Sequence, residues 1–143
     1  MEKERDRAEE MAYVSPIHTD KTSTDNDYND ALKFCISKVD SVSFVAGTHN
    51  EFSCELLAEL LNKKSIPHDH GHVYFSQLLG MSDNLSFNLG ASGYNVVKYV
   101  PYGPVKAVMP YLFRRAEENT SVAGQMGREL RLISTEMKRR KLK

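Results

Sequence analysis

The sequence predicts an α/β protein built on a parallel sheet, and three observations carry that expectation. Short β-rich runs at residues 42–46, 72–77 and 94–100 are each followed by a run with helical periodicity. The connections between them are short, which is the pattern of β-α-β crossovers in one sheet. Each β-rich run also ends in hydrogen-bonding side chains: Thr48, His49 and Asn50 after the first, Gln77 at the end of the second, and Tyr99 near the end of the third. Parallel sheets carry their chemistry at the carboxyl ends of the strands, so the shared placement weighs more than any one of these residues.

Residues 2–12 are charged and helix-permissive, and a polar loop begins at Tyr13. The next helix is expected to start within residues 25–29 and to run to about Lys38. Val42, Phe44 and Val45 make the first strand, which Gly47 ends. Leu56, Leu57, Leu60 and Leu61 stand at helical spacing within residues 51–63. Pro67 to Gly71 breaks the chain before the second strand. Residues 81–89 form a helix that Gly90 and Gly93 stop. Pro104, after Gly103, marks the first helical position after a tight turn. Residues 129–143 close the chain as an amphipathic helix with a basic end.

Three parallel strands leave two open edges and half-covered faces, while a closed barrel takes about eight. The expectation is therefore part of a larger sheet. The chain has 143 residues, enough for a single domain with a modest core. Lys plus Arg equals Asp plus Glu at 19 each, so overall charge gives no general attraction to nucleic acid or to a membrane. No apolar run approaches the ~20 residues that cross a bilayer. Residues 1–7 are neither a signal peptide nor an acid-poor transit sequence. Cys35 and Cys54 fall on the apolar sides of helical runs and are expected to be reduced core thiols. His68, His70 and His72 alternate in a loop without a nearby carboxylate pair, so no metal is expected there. Lys138-Arg139-Arg140-Lys141 resembles a localisation signal by composition, but a cationic helix end is favoured by the macrodipole in any case.

The helix opened by Pro104 holds the most specific cluster. At about 100° per residue, Tyr111, Arg114, Arg115 and Glu118 share an arc roughly 100° wide. Val105, Val108, Leu112 and Ala116 fill the neighbouring arc and are expected to anchor the helix. Paired guanidinium groups facing one way suit a carboxylate or a phosphate, because each offers a planar fork of donors. The alternative is a solvated face with Arg114 and Glu118 as an ordinary i,i+4 pair. His49 equally fits a helix cap or a satisfied core histidine.

Four segments together resemble the C-terminal part of the proline dehydrogenase family. They are Gly47-Thr48-His49-Asn50, Phe75-Ser76-Gln77-Leu78-Leu79-Gly80-Met81, Lys98-Tyr99-Val100-Pro101-Tyr102-Gly103 and Tyr111-Leu112-Phe113-Arg114-Arg115-Ala116-Glu117-Glu118-Asn119. Glu4-Arg5-Asp6-Arg7-Ala8 is similar to the stretch after the family's fifth barrel strand. The resemblance is weak before residue 42, strong over 42–119, and closer to eukaryotic single-function enzymes than to bifunctional bacterial ones.

The resemblance implies the C-terminal portion of a (β/α)8 TIM-like barrel, about its last three β/α units plus flanking helices. Residues 1–41 would be a helical lead-in, 42–119 the units carrying the site, and 120–143 a C-terminal helix. It implies FAD at the carboxyl ends of the strands. The implied reaction is oxidation of L-proline to Δ1-pyrroline-5-carboxylate by hydride transfer to FAD, with a membrane quinone as electron acceptor. Arg114 and Arg115 would clamp the proline carboxylate, Tyr99 and Tyr111 would wall the pocket, and Leu78 would lie beneath the ring. Thr48, His49, Asn50, Gln77, Arg115 and Glu118 would serve the cofactor. The family's eighth helix lies across the barrel mouth, which brings these arginines to the site. A mitochondrial location with at most peripheral membrane association is implied in the same way. The family's first five strands have no counterpart here, so either a partner supplies the missing barrel half or the chain is a non-catalytic remnant or interaction module that does not hold flavin alone.

Overall fold

The structure, a computed structural model, describes the backbone of residues 2–121 and 123–141 and the side chains of residues 3–115 and 130–141. Two helices, α1 (Glu2–Glu10) and α2 (Lys21–Ser37), lead in. Three β/α units follow: β1 (Phe44–Gly47) with α3 (Glu51–Lys63), β2 (Val73–Leu78) with α4 (Asp83–Ala91), and β3 (Val96–Tyr99) with α5 (Val105–Ser121). Helix α6 (Ala123–Arg139) comes last.

The strands form one parallel sheet in the order β1-β2-β3. Ala46 pairs with Phe75 in the first ladder, and Leu78 pairs with Tyr99 in the second. Side chains alternate across the sheet, so Ala46, Val73, Phe75 and Gln77 share the face toward the helices. There they meet Leu32 and Ile36 of α2, Cys54, Leu57 and Leu61 of α3, and Leu89 of α4 in one core. Phe75 adds an edge-on contact with Tyr94 at 5.3 Å. The opposite face is uncovered: Val45 and Val97 stand 58% and 41% exposed on it.

Several boundaries differ from the expectation, each for a local reason. Helix α2 begins at Lys21, well before residue 25, because Asp20 caps it by accepting from the Ser23 amide at 2.7 Å and the Ser23 hydroxyl at 2.8 Å. Helix α4 begins at Asp83, after Met81, because Gly80 and Ser82 hold left-handed φ values of 76° and 50°. Strand β3 begins at Val96. Its predecessor Asn95 turns its side-chain amide onto the carbonyls of His70 and Val73 at 3.0 and 3.2 Å, and Gly93 is left-handed. Helix α6 starts at Ala123, several residues before Glu129.

The anchoring of α5 requires a correction. Val105 is 75% exposed and Leu112 41%, so this apolar arc is not buried as a whole, and only Leu112 of it lines the cleft beside Tyr99. The arc of Tyr111 and Arg115 faces the sheet instead, drawn there by the Tyr99 ring. Val108 is half-buried beside Gly103, whose φ of 146° suits glycine and whose missing Cβ would sit 3.4 Å from Val108 Cγ2. The side chain of Ala116 lies outside the described residues.

Cys35 and Cys54 are free thiols, with Cys54 buried in the core. Burial, assisted by the Glu51 charge, pushes the Cys54 thiol up to about 11, so it is an unreactive apolar filler. The loop histidines serve the fold. His68 Nδ1 bonds the Ser92 carbonyl at 2.9 Å while its ring stacks on Tyr94, and His72 Nδ1 bonds the Val39 carbonyl at 2.7 Å.

Candidate active site

Strand alternation decides which residues can meet at the carboxyl edge. In β2 the buried positions are Val73, Phe75 and Gln77, so Ser76 and Leu78 project to the uncovered face. Register places Tyr99 directly beside Leu78 on that face. Helix α5 then passes over this corner. The Tyr111 ring sits 5.6 Å from the Tyr99 ring at 52°, and Arg115 Cζ lies 5.4 Å from the centre of the Tyr111 ring.

Leu78, Tyr99, Tyr111 and Arg115 thus converge on a cleft of about 280 Å³, floored by the turn Leu79-Gly80-Met81. This is just under the ~300 Å³ at which sites for drug-sized ligands begin, so the cleft suits a small molecule. Its walls are mainly apolar and aromatic, with the Arg115 guanidinium at one side. Chemically, such a site takes a compact ligand with an apolar body and an anionic head.

Arg114, by contrast, is exposed and does not form part of this wall. The backbone of Glu118 belongs to α5, but its side chain lies outside the described residues, and so does its expected pairing with Arg115.

Thr48, His49 and Asn50 form a second group at the carboxyl end of β1. Thr48 Oγ1 accepts from the Asn50 amide at 3.0 Å, and Asn50 caps α3 by accepting from the Phe52 amide at 3.1 Å. His49 Nδ1 lies 2.9 Å from Ser82 Oγ, which ties the loop after β1 to the loop after β2. Gln77 lies beneath both groups and is only 2% exposed. Its Nε2 donates to the Thr48 carbonyl at 3.3 Å, and its Oε1 accepts from the Ser86 hydroxyl at 2.9 Å. The Gln77 side chain therefore braces the edge from the helix side of the sheet.

Sequence reasoning missed the residue that fixes the cleft floor. Lys98 Nζ donates to the Met81 carbonyl at 2.7 Å, reaches the Leu78 carbonyl at 3.5 Å, and pairs with Asp83 at 2.8 Å. A signal was present, since Lys98 shares a strand face with Val96, where a cation needs partners. Ser82 and Ser86 gave no comparable signal, as serines in a helix-start region are ordinary.

Residues 1–128 match the family model described as proline dehydrogenase. The chain is 40% identical over 143 residues to the Arabidopsis thaliana protein named proline dehydrogenase 2, mitochondrial, covering 98% of this chain and 30% of that one. It is 40% identical to the human protein named proline dehydrogenase 1, mitochondrial (96% and 23% covered), and 38% identical to hydroxyproline dehydrogenase of Bos taurus (99% and 32%). The chain therefore spans about a third or less of the length of these relatives. Among solved structures it is similar to proline utilization A of Bdellovibrio bacteriovorus inactivated by N-propargylglycine. The TM-score is 0.75 at 26% identity, over 83% of this chain and 12% of that one. On the match of residues 1–128 and on these relatives, the chain belongs to the proline dehydrogenase family.

Proposed function

We infer that residues 42–119 carry the substrate and cofactor edge of a flavoenzyme that oxidises L-proline to Δ1-pyrroline-5-carboxylate. In this reading the three β/α units are the last of a (β/α)8 barrel, with residues 1–41 as lead-in and 120–143 as a C-terminal helix. The observation that carries it is the convergence of Leu78, Tyr99, Tyr111 and Arg115 on one small cleft at the carboxyl ends of parallel strands. Proline has the shape this cleft asks for, an apolar ring bearing a carboxylate. Arg115 holds the carboxylate, the two tyrosines wall the ring, and Leu78 lies under it. Arg114, on the next position of the same helix, completes the clamp from the exposed side when the substrate is seated.

The residues present also fit FAD. A planar ring system needs a flat, small-residue floor with a polar rim. Gly47 and Ser76 are register partners on the uncovered face, and a Cβ added at Gly47 would meet nothing within 4 Å. Thr48, His49 and Asn50 supply the rim, with Gln77 holding the Thr48 carbonyl from behind. Held there, FAD would supply a two-electron acceptor for the hydride on the ring carbon beside the proline nitrogen, with a quinone as the acceptor downstream. The protein's own part is orientation: it fixes the carboxylate so that this C–H bond faces the acceptor. Because the relatives are named mitochondrial, the same address is proposed here, on the matrix side or at the inner membrane.

Purified protein tests the reading. A bound flavin absorbs near roughly 450 nm, and proline should bleach that band. Arg115→Met and Arg114→Met should each raise the proline KM about tenfold or more while the 450 nm band persists, since a charge-assisted bond is worth ~1.5–3 kcal/mol. An unchanged KM in both variants overturns the assignment. A second reading has its own observation, the exposed Val45, Val97 and Tyr99 on the face where a flavin would lie. In that reading the chain is a non-catalytic module, and a colourless, proline-insensitive preparation supports it.

A further inference from the structure

Helix α4 opens in a way that helix formation alone does not explain. Ser82 stands at the cap position, where a serine ordinarily accepts from an amide of the first turn, yet its side chain makes no such bond. Its backbone is left-handed, with φ 50° and ψ 44°, a conformation that a serine holds only under constraint. The hydroxyl goes instead to His49 Nδ1, 2.9 Å away and 33 residues back along the chain. The backbone of Ser82 is held as firmly as its side chain. Its carbonyl accepts from the Ser86 amide and from the Ser86 hydroxyl, each at 3.1 Å, and that hydroxyl is shared with Gln77 Oε1 at 2.9 Å. Gln77 and Ser86 are 2% and 7% exposed, so the path runs from the buried core outward: they fix where Ser82 stands, and Ser82 holds the imidazole.

We propose that Ser82 is a positioning residue for His49. Its hydroxyl sets the plane of the imidazole and decides which ring nitrogen carries the proton, so that a bound flavin meets the ring in one fixed state. The inference rests on the reading of this edge as the flavin rim. Two observations favour it over a purely structural latch. The loops after β1 and β2 are already joined by Gln77, whose two polar ends reach the Thr48 carbonyl and Ser86. A purely structural residue at this φ would also be better as glycine, which takes it without a Cβ penalty. Strained backbone persists where the side chain it places has a task, and the task that remains here is to orient an imidazole.

Ser82→Gly separates the two roles, since glycine suits the left-handed backbone and removes only the hydroxymethyl group. Urea unfolding of the full chain should show stability equal to wild type or higher. Nitrogen NMR of the imidazoles should show the two His49 ring nitrogens shifted, with those of His18, His68, His70 and His72 in place. FAD titrated into the flavin-free chain, followed by quenching of flavin fluorescence, should bind about three- to tenfold more weakly, the effect of one lost hydrogen bond. In a His49→Ala background, Ser82→Gly should weaken FAD no further. Unshifted His49 nitrogens overturn the proposal, as does wild-type FAD affinity in Ser82→Gly or an equal loss in both backgrounds. Stability below wild type overturns it in favour of the latch. A wild-type chain that takes up no FAD overturns the flavin reading itself and the proposal with it. That failure is distinct, because an unchanged or background-independent affinity is seen only in a chain that binds FAD.

Discussion

Tyr99 on β3 and Tyr111 on α5 stand in tilted ring contact at the cleft with centres 5.6 Å apart, and this pair joins α5 to the edge of the sheet. In the neighbouring apolar arc Val105 is exposed, Val108 is half-buried and Leu112 lines the same cleft. Tyr111→Ala should therefore loosen α5 selectively. The aromatic pair is worth ~0.5–1.5 kcal/mol beyond its area. Hydrogen exchange of α5 amides should accelerate about tenfold while α3 amides are unchanged. Equal acceleration in both helices would show that the effect is global.

Gln77 is buried and relies on Ser86 for one of its two polar ends. Ser86→Ala leaves Gln77 Oε1 without its partner and should cost ~1–3 kcal/mol in urea unfolding. Combining Ser86→Ala with Gln77→Leu should cost less than the two single changes added, because the stranded acceptor is gone. Strict additivity would contradict the described bond.

The two faces of the sheet should respond differently to truncation. Leu57 is fully buried, and Leu57→Ala should cost ~2–5 kcal/mol through lost transfer energy and a cavity. Val45 is 58% exposed on the uncovered face, and Val45→Ser should fall within ~0.5 kcal/mol of wild type. A large loss at Val45 would mean that this face is covered in solution.

Helix α6 should respond to acid. The folded Glu136 carboxyl lies at about 2, below the 4.5 of an unperturbed glutamate, because Arg139 and then Arg140 hydrogen-bond its charged form. A depressed carboxyl contributes stability above the unfolded value and loses it as pH falls through the folded one. Helicity read by circular dichroism should thus decline between about pH 4.5 and 2, and Glu136→Gln should flatten that slope.

Helix α3 was legible at both ends, because Asn50 is a strong cap and the leucines keep a strict period. The start of α2 was not, since Asp20 and Ser23 sit in a Thr/Asp-rich stretch where many residues could cap. The resemblance gave Leu78, Tyr99, Tyr111, Arg114 and Arg115 as one set, and the structure brings all of them but Arg114 to the cleft. The inward position of Gln77 was readable in principle from alternation in β2, yet a one-residue error in where the strand begins exchanges the two faces. Lys98 escaped because its partners are mostly backbone carbonyls, which carry no sequence identity.

The grip of Lys98 on Leu78, Met81 and Asp83 makes the third strand and the turn below the cleft a single mechanical piece. A guest that presses on Met81 loads β3 through an ammonium group and does not bend a free loop.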